Sequence, residues 1–141
     1  MIDRFSGDYR FLSNFYPCEV EYDGDKFPST EHAYQAAKTF RPHRGPVLTM
    51  TAGQAKRWGR TVPMRPEWEV IKVDVMHKLL EQKFKMGTKL AQKLIDTGNE
   101  TIIEGNTWGD VFWGQCPVGT GDNILGKLLM KIRLQLQFWE K

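Results

Sequence analysis

Cysteine and histidine are scarce in this chain, and neither residue occurs in a metal-binding pattern. There are two cysteines, Cys18 and Cys116, and three histidines, with no HxxxH, HxH or CxxC spacing. Two thiols are too few for a secreted disulfide scaffold or for a four-cysteine zinc site. We therefore expect free thiols, no bound metal and no cofactor.

The chain also lacks an apolar run that would cross a membrane or direct secretion. No stretch approaches the roughly 20 apolar residues that a membrane-spanning helix requires. Charged residues interrupt residues 1–10, where a signal peptide would need an apolar segment. We expect a cytoplasmic protein with no membrane partner, and the sequence does not indicate its oligomeric state.

The composition is that of a globular domain. The 141 residues are 40% hydrophobic, 12% aromatic and 26% charged, with 13 glycines and 7 prolines that follow no period. These values exclude the collagen-like, coiled-coil and disordered classes. Because no repeat or linker divides the chain, we expect a single domain over residues 1–141, long enough to bury a hydrophobic core.

Charge is distributed unevenly along the chain. The net charge is −4 over residues 1–37, +9 over residues 38–93 and −2 over residues 94–141, which sums to the overall +3. Clustered Lys and Arg attract polyanions such as nucleic acid or a phosphorylated small molecule. A solvated, lysine-rich helix surface is an equally good interpretation of the basic middle third.

Turn, capping and periodicity signals predict a mainly helical α+β fold. The Asp23-Gly24 pair predicts a β-hairpin over residues 18–27. Helices, with caps at Ser29, Thr51, Thr88 and Asp122, are predicted over residues 30–40, 52–58, 66–84, 89–97 and 123–138, and a strand over residues 101–104. A glycine- and tryptophan-rich loop over residues 105–121 is long enough to suggest a functional role.

Helical spacing divides residues 30–40 into a small apolar face and a polar face. The apolar face contains Ala33, Ala36, Ala37 and Phe40, and the polar face contains Glu31, Tyr34, Gln35 and Lys38. The carboxylate lies in the first turn, where the helix dipole favours an anion. Periodicity alone leaves open whether this polar stripe is solvated or catalytic.

A second polar and aromatic cluster lies in the long loop. Within eleven residues it places Glu104, Asn106, Trp108, Asp110, Phe112 and Trp113. Paired carboxylates beside aromatic planes suit an enzyme that stabilises an oxocarbenium-like sugar cation and stacks on the leaving base. The alternative is a loop whose tryptophans fill the core and whose Asp and Asn satisfy turn backbone.

Taken in order, these segments resemble the YbiA-like, or NADAR (NAD- and ADP-ribose-associated), family. The matching stretches include Phe11–Phe15, Phe27–Lys38, Arg65–Trp68, Asp110–Gly114 and Gly121–Gly126. The resemblance covers nearly the whole chain. It implies a compact, mainly helical α+β domain with a small antiparallel β component.

The resemblance also implies an activity, namely hydrolysis of the N-glycosidic bond between ribose and a base or amine. Such enzymes cleave riboflavin-pathway ribosylamino intermediates or remove ADP-ribose from guanine in nucleic acid. The implied partner is a phosphorylated ribosyl or ADP-ribosyl small molecule, or ADP-ribosylated nucleic acid, with no cofactor. A non-catalytic module that binds ADP-ribose or nucleic acid is the alternative.

Site residues follow from the resemblance by position. The implied catalytic residues are Glu31, Lys38 and Asp110, and Lys38 matches a lysine implicated in forming a Schiff base with opened ribose. The expected substrate-binding residues are Asn14, Phe15, Tyr34, Gln35, Arg57, Trp68, Glu104 and Trp113. For a diphosphate, the candidates are Arg41, Arg44, Lys56, Arg57 and Arg60, because guanidinium groups match phosphate oxygens. Ala33 and the stretch Gln115–Pro117 depart from the family pattern, which leaves the leaving group open.

Overall fold

The computed structural model describes residues 1–140 and is mainly helical, with a two-stranded antiparallel sheet. The strands are β1 (Pro17–Tyr22) and β2 (Asp25–Ser29), and the helices are α1 (Thr30–Ala37), α2 (Ala52–Trp58), α3 (Trp68–Lys83), α4 (Lys89–Asp96) and α5 (Ile124–Glu140). The predicted α+β class is therefore confirmed. The chain forms two compact units, one of residues Asn14–Lys83 and one of Met1–Ser13 with the segment from Phe84 onward. The single-domain organisation stays a prediction.

The predicted hairpin is present and begins the Asn14–Lys83 unit. Asp23 and Gly24 have φ values of 51° and 82°, and two left-handed residues make the tight turn that matches strand twist. Val20 pairs with Phe27 across the strands, and both side chains are buried. The hairpin thus presents an apolar face to the core of its unit.

Side-chain caps begin α1 and α2 where the sequence predicts them. The Ser29 hydroxyl accepts a hydrogen bond from the His32 backbone N–H at 3.1 Å, and Thr51 forms a capping box with Gln54. Such caps satisfy backbone donors that have no partner inside the helix. α1 contacts both strands, α2 and α3, so it lies at the centre of the unit.

α1 ends at Ala37, so the predicted extension to Phe40 is wrong. Residue 42 is a proline and has no N–H to donate to the Lys38 carbonyl four residues earlier. That carbonyl instead accepts a hydrogen bond from the Arg65 backbone N–H at 2.8 Å. Phe40 is 44% exposed and does not extend the packing face.

α3 begins at Trp68, two residues later than predicted, and buries most of the predicted apolar positions. Ile71 is only half-buried. The buried positions also include Lys83, which the apolar periodicity did not predict.

The other unit contains α4 and α5, which pack against each other. The predicted strand at Thr101–Glu104 is wrong, because this segment forms only a single bridge, between Ile2 and Ile102. The Asn123 side chain donates to the Ile102 carbonyl at 2.9 Å and accepts from the Glu104 N–H at 3.0 Å. The Asn123 side chain thus makes the hydrogen bonds to the backbone of residues 102 and 104 that a neighbouring strand would otherwise make.

α5 begins at Ile124, one residue later than predicted, so Asn123 precedes the helix in place of Asp122. No helix within residues 1–140 is both long and apolar enough to cross a membrane. Cys18 and Cys116 are free thiols, as expected.

Candidate active site

All eight residues of α1 are buried, including its polar stripe. Glu31 exposes 7% of its surface and Gln35 5%, and Lys38, which follows the helix, is half-buried. The solvated interpretation of this stripe is therefore wrong. Because burying ionisable groups is costly, such a cluster points to a functional site.

Glu31 is held at the first turn of α1 by neighbours on both sides. Its Oε1 accepts a hydrogen bond from Gln35 Nε2 at 2.8 Å, and its backbone N–H donates to the Asn14 carbonyl at 3.0 Å. Burial raises the pKa of Glu31, while the Gln35 bond and the charges of Lys56 and Lys38 oppose that rise. A carboxyl group closer to neutrality is suited to proton transfer.

Lys38 lies seven residues after Glu31 and has the opposite shift. Burial lowers the pKa of Lys38, and the negative charge of Glu31 acts against this lowering. The Nζ atom is 5.8 Å from the centroid of the Tyr34 ring. A lysine with a lowered pKa has a larger neutral fraction, which is the nucleophilic form.

Tyr34 and Trp68 form an aromatic pair beside these charged groups. Their ring centroids are 5.1 Å apart in an edge-to-face arrangement, and Trp68 is only 3% exposed. Tyr34 is the member of the pair that lies near the Lys38 amine. Stacking of Trp68 on a substrate base stays a prediction.

Sequence reasoning assigned no role to Arg65, which secures the end of α1. Arg65 Nη1 donates to the Ala37 carbonyl at 3.2 Å and to the Tyr22 hydroxyl at 2.9 Å, and Nε pairs with Glu67 at 2.7 Å. The Arg65 backbone N–H also donates to the Lys38 carbonyl. Together these contacts fix the position of the Lys38 backbone, from which its side chain extends. Pro42, which deprives α1 of a donor, is the sequence signal that could have indicated such an anchor.

Asn14, Phe15 and Lys56 lie on the Glu31 side of the cluster. Asn14 Nδ2 is 3.6 Å from the Met76 sulfur, and Asn14 Oδ1 is buried without a hydrogen-bond partner. Lys56 Nζ is 5.9 Å from the Phe15 ring centroid. Phe15 is 42% exposed, which leaves an aromatic surface available to a ligand.

The expected diphosphate residues do not behave alike. Arg44 is buried, pairs with Asp23 at 2.8 Å and donates twice to the Thr39 carbonyl. Its guanidinium is therefore committed to the fold, and its assignment to a phosphate is wrong. Arg41 lies 3.6 Å from Asp25 in an exposed ion pair, whereas Arg57 and Arg60 are exposed near the end of α2.

In the other unit, the loop cluster is organised by Asn106. Its Nδ2 donates to Glu104 Oε2 and to the Asp110 carbonyl, both at 2.8 Å. Asp110 Oδ1 accepts from the backbone N–H groups of Phe112 at 3.2 Å and Trp113 at 2.9 Å. These contacts confirm that Asn106 and Asp110 satisfy turn backbone, and they also orient the Asp110 carboxylate.

The loop tryptophans do not fill the core as the alternative interpretation expected. Trp108 is 60% exposed, and Trp113 is half-buried in an edge-to-face contact with Phe112 at 5.0 Å. Gly114 packs so closely that a Cβ there would collide with the Glu104 carboxylate. The loop thus holds Glu104 in a defined place.

The predicted site residues therefore form two groups, one in each unit. The Asn14–Lys83 unit holds Asn14, Phe15, Glu31, Tyr34, Gln35, Lys38, Arg57 and Trp68, and the other unit holds Glu104, Asp110 and Trp113. In the part of the chain that the structure describes, no three His, Cys, Asp or Glu residues are arranged to hold a metal ion.

The chain is similar to known proteins over nearly its whole length. It is 36% identical over 135 residues to the N-glycosidase YbiA of Escherichia coli, covering 93% of this chain and 84% of that protein. It is 38% identical over 134 residues to a riboflavin biosynthesis protein of Vibrio vulnificus, of which it spans only 36%.

The fold comparison agrees with the sequence comparison. The NMR structure of the E. coli protein YbiA matches with a TM-score of 0.83 at 33% identity, covering 99% of this chain and 86% of that one. The NADAR domain model matches residues 3–137. The chain therefore belongs to the NADAR domain family, as its motifs predicted.

Proposed function

We propose that this chain is an N-glycosidase that hydrolyses the bond between ribose C1 and the nitrogen of a base or amine. The observation that carries the proposal is the polar row of buried Glu31 and Gln35 on α1, with half-buried Lys38 directly after the helix. The similarity to proteins named N-glycosidase supports the same activity.

Two substrate classes fit the proposal. One is a phosphorylated ribosylamino intermediate of riboflavin synthesis, and the other is ADP-ribosylated guanine in nucleic acid. The relatives named for riboflavin biosynthesis favour the first class. Lys56, Arg57 and Arg60 are the cations that would bind a phosphate in either substrate.

The chemistry uses the opposed pKa shifts of Glu31 and Lys38. Ring opening breaks the bond from C1 to the ring oxygen, which takes the proton of the glycosidic N–H and leaves a C1=N imine. The Lys38 ammonium gives a proton to Glu31, and the neutral amine adds to C1 while Glu31 passes that proton to the imine nitrogen. Glu31 then takes a proton from the Lys38 nitrogen and gives it to the leaving nitrogen as the bond from C1 to that nitrogen breaks. Water then hydrolyses the Lys38 imine, which releases the sugar and restores the amine.

Asp110 is the third proposed catalytic residue. The two backbone N–H groups that donate to its Oδ1 fix the direction of the carboxylate. A fixed carboxylate would stabilise positive charge that develops on the sugar. This role rests on the family resemblance.

A turnover assay tests the proposal. The protein is incubated separately with a riboflavin-pathway ribosylaminopyrimidine phosphate and with guanine-ADP-ribosylated DNA, and free amine or free sugar is measured. We expect release from one of the two substrates, loss of release in Lys38→Arg, and unchanged release in the exposed control Lys78→Arg. Release from neither substrate would contradict the proposal.

A non-catalytic binding module remains the second candidate, because the middle third of the chain is strongly basic. A nucleic-acid binder would use those cations without needing a buried carboxylate. If Glu31→Ala left turnover unchanged while Arg57→Ala abolished ligand binding, the module would be the better account.

A further inference from the structure

Gly59 occupies a position whose backbone does not require glycine. It follows α2 with φ of −60° and ψ of −18°, which is ordinary right-handed helical geometry open to any residue. A Cβ at this position would collide with the Gln35 carboxamide oxygen and lie 2.8 Å from Gln35 Cδ. The lack of a side chain, and not backbone freedom, is therefore what this position provides.

The Gln35 carboxamide is held in an unusual way. Its Nε2 donates to Glu31, whereas its Oε1 is buried without a hydrogen-bond partner. A buried polar atom left unpaired is unfavourable, so hydrogen bonding alone does not explain this orientation. The oxygen lies against Gly59, in the space that a side chain at position 59 would fill.

From these contacts we infer that Gly59 is a positioning residue for Glu31, which acts by leaving the space in which the Gln35 amide reaches the carboxylate. The inference rests on the proposed function, because it gives Gly59 a part in aligning the proton-transfer group. The order of contact is Gly59, then Gln35, then Glu31.

The charged groups around Glu31 determine what loss of this contact does. Lys56 on α2, together with Lys38 and His32 from the α1 segment, favours the ionised carboxylate, as does the Gln35 N–H. Burial acts in the opposite direction. Displacing the Gln35 amide removes one stabilising group and leaves the burial unchanged, so the pKa of Glu31 rises further.

Four variants test the inference: Gly59→Ala, Gln35→Ala, the double variant and Gly53→Ala. The titration midpoint of Glu31 is followed by carboxyl ¹³C NMR. We expect Gly59→Ala to raise the midpoint and the double variant to titrate like Gln35→Ala alone. Gly53→Ala is the matched control on α2, because its Cβ would lie 3.9 Å from the nearest atom, Arg57 Nη1, in ordinary contact.

Kinetics supply a second readout. We expect kcat of Gly59→Ala to fall about tenfold, with no further loss when the same change is made in Gln35→Ala. A Glu31 midpoint unchanged in Gly59→Ala, or additive effects in the double variant, would overturn the inference. If Gly59→Ala does not fold, recovery of folding in the double variant supports the steric coupling, and equal failure of both overturns it.

The two proposals fail separately. Coupling among Gly59, Gln35 and Glu31 in the titration, with no turnover of either substrate class, would refute the proposed function and leave the inference standing. Turnover without such coupling would refute the inference alone.

Discussion

Two lysines of this chain, Lys38 and Lys83, are withdrawn from solvent to different degrees. Lys38 is half-buried at the end of the α1 stripe, within the field of Glu31. Lys83 is 3% exposed, and its Nζ is 5.9 Å from the Tyr16 ring centroid. Burial lowers the pKa of Lys83 to about 8. Both amines are shifted toward neutrality, and at Lys38 the negative charge of Glu31 acts against that shift.

The shift of Lys83 predicts a pH-dependent stability. Below about pH 8 the amine is charged in the folded and unfolded states, and folding bears the full cost of burying the charge. Between about pH 8 and 10.5 the folded amine loses its proton before the unfolded one, so stability rises with pH. Relative to Lys83→Met, the wild type should gain about 3 kcal/mol of unfolding free energy over that range.

Urea unfolding at pH 7, 8, 9 and 10 measures this gain. The exposed variant Lys78→Met is the control, and its difference from wild type should stay nearly constant. A constant difference between wild type and Lys83→Met would show that Lys83 does not titrate in this range.

Asp110 tests whether a residue that satisfies turn backbone can also act in catalysis. Asp110→Asn keeps an Oδ1 acceptor for the N–H groups of Phe112 and Trp113 but removes the charge. We expect stability within about 0.5 kcal/mol of wild type and a fall in kcat of about 100-fold or more. Asp110→Ala should lower kcat as well and should also reduce the free energy of unfolding by about 1–3 kcal/mol. Normal turnover in Asp110→Asn would show that Asp110 has only a structural role, in satisfying the turn backbone.

At the scale of elements, local signals predicted the helices better than the strands. The start of α2 follows from Thr51 alone, since a capping box is a set of contacts within a few residues. The strand predicted at residues 101–104 depended on distant partners, which are the backbone of Ile2 and the Asn123 side chain. No periodicity within the segment carries that information.

The sequence predicted which residues of the candidate site share a helix face, but not their surroundings. Spacing placed Glu31, Gln35 and Lys38 on one face, but it could not show that this face is buried. The family resemblance supplied the functional interpretation. Pro42 could indicate that the end of α1 needs an anchor, but not that Arg65 provides it. The Arg65 and Gly59 contacts each join residues more than twenty positions apart through a single close approach.

Asn123, which directly precedes α5, is predicted to stabilise the unit that contains α4 and α5. Asn123 is 4% exposed, has φ of 51° and makes two hydrogen bonds to the backbone at residues 102 and 104. Asn123→Ala leaves those groups unpaired and places alanine in a left-handed conformation. We expect a loss of about 2–4 kcal/mol by chemical denaturation, against less than about 0.5 kcal/mol for the exposed Asn99→Ala. Equal losses in the two variants would contradict this account.

For the whole molecule, the charge distribution separates the two candidate functions. Residues 38–93 carry a net charge of +9, yet Arg44 and Lys83 in this block are buried. A small phosphorylated substrate should bind through a few cations, so its KM should rise less than about tenfold between 50 and 200 mM salt. A nucleic-acid binder that contacts many phosphates would lose about 1,000-fold or more in affinity over the same range. Affinity for a phosphorylated ribosylamine and for nucleic acid, each measured across a salt series, distinguishes the two.

Covalent trapping tests the central claim most directly, because the mechanism requires a bond between the Lys38 amine and the sugar. The protein is treated with borohydride during turnover of the ribosylated substrate, and its peptides are analysed by mass spectrometry. The account predicts a stable sugar adduct on Lys38 that is absent in Lys38→Arg. Sustained turnover with no adduct, or with the adduct on another lysine, would contradict it.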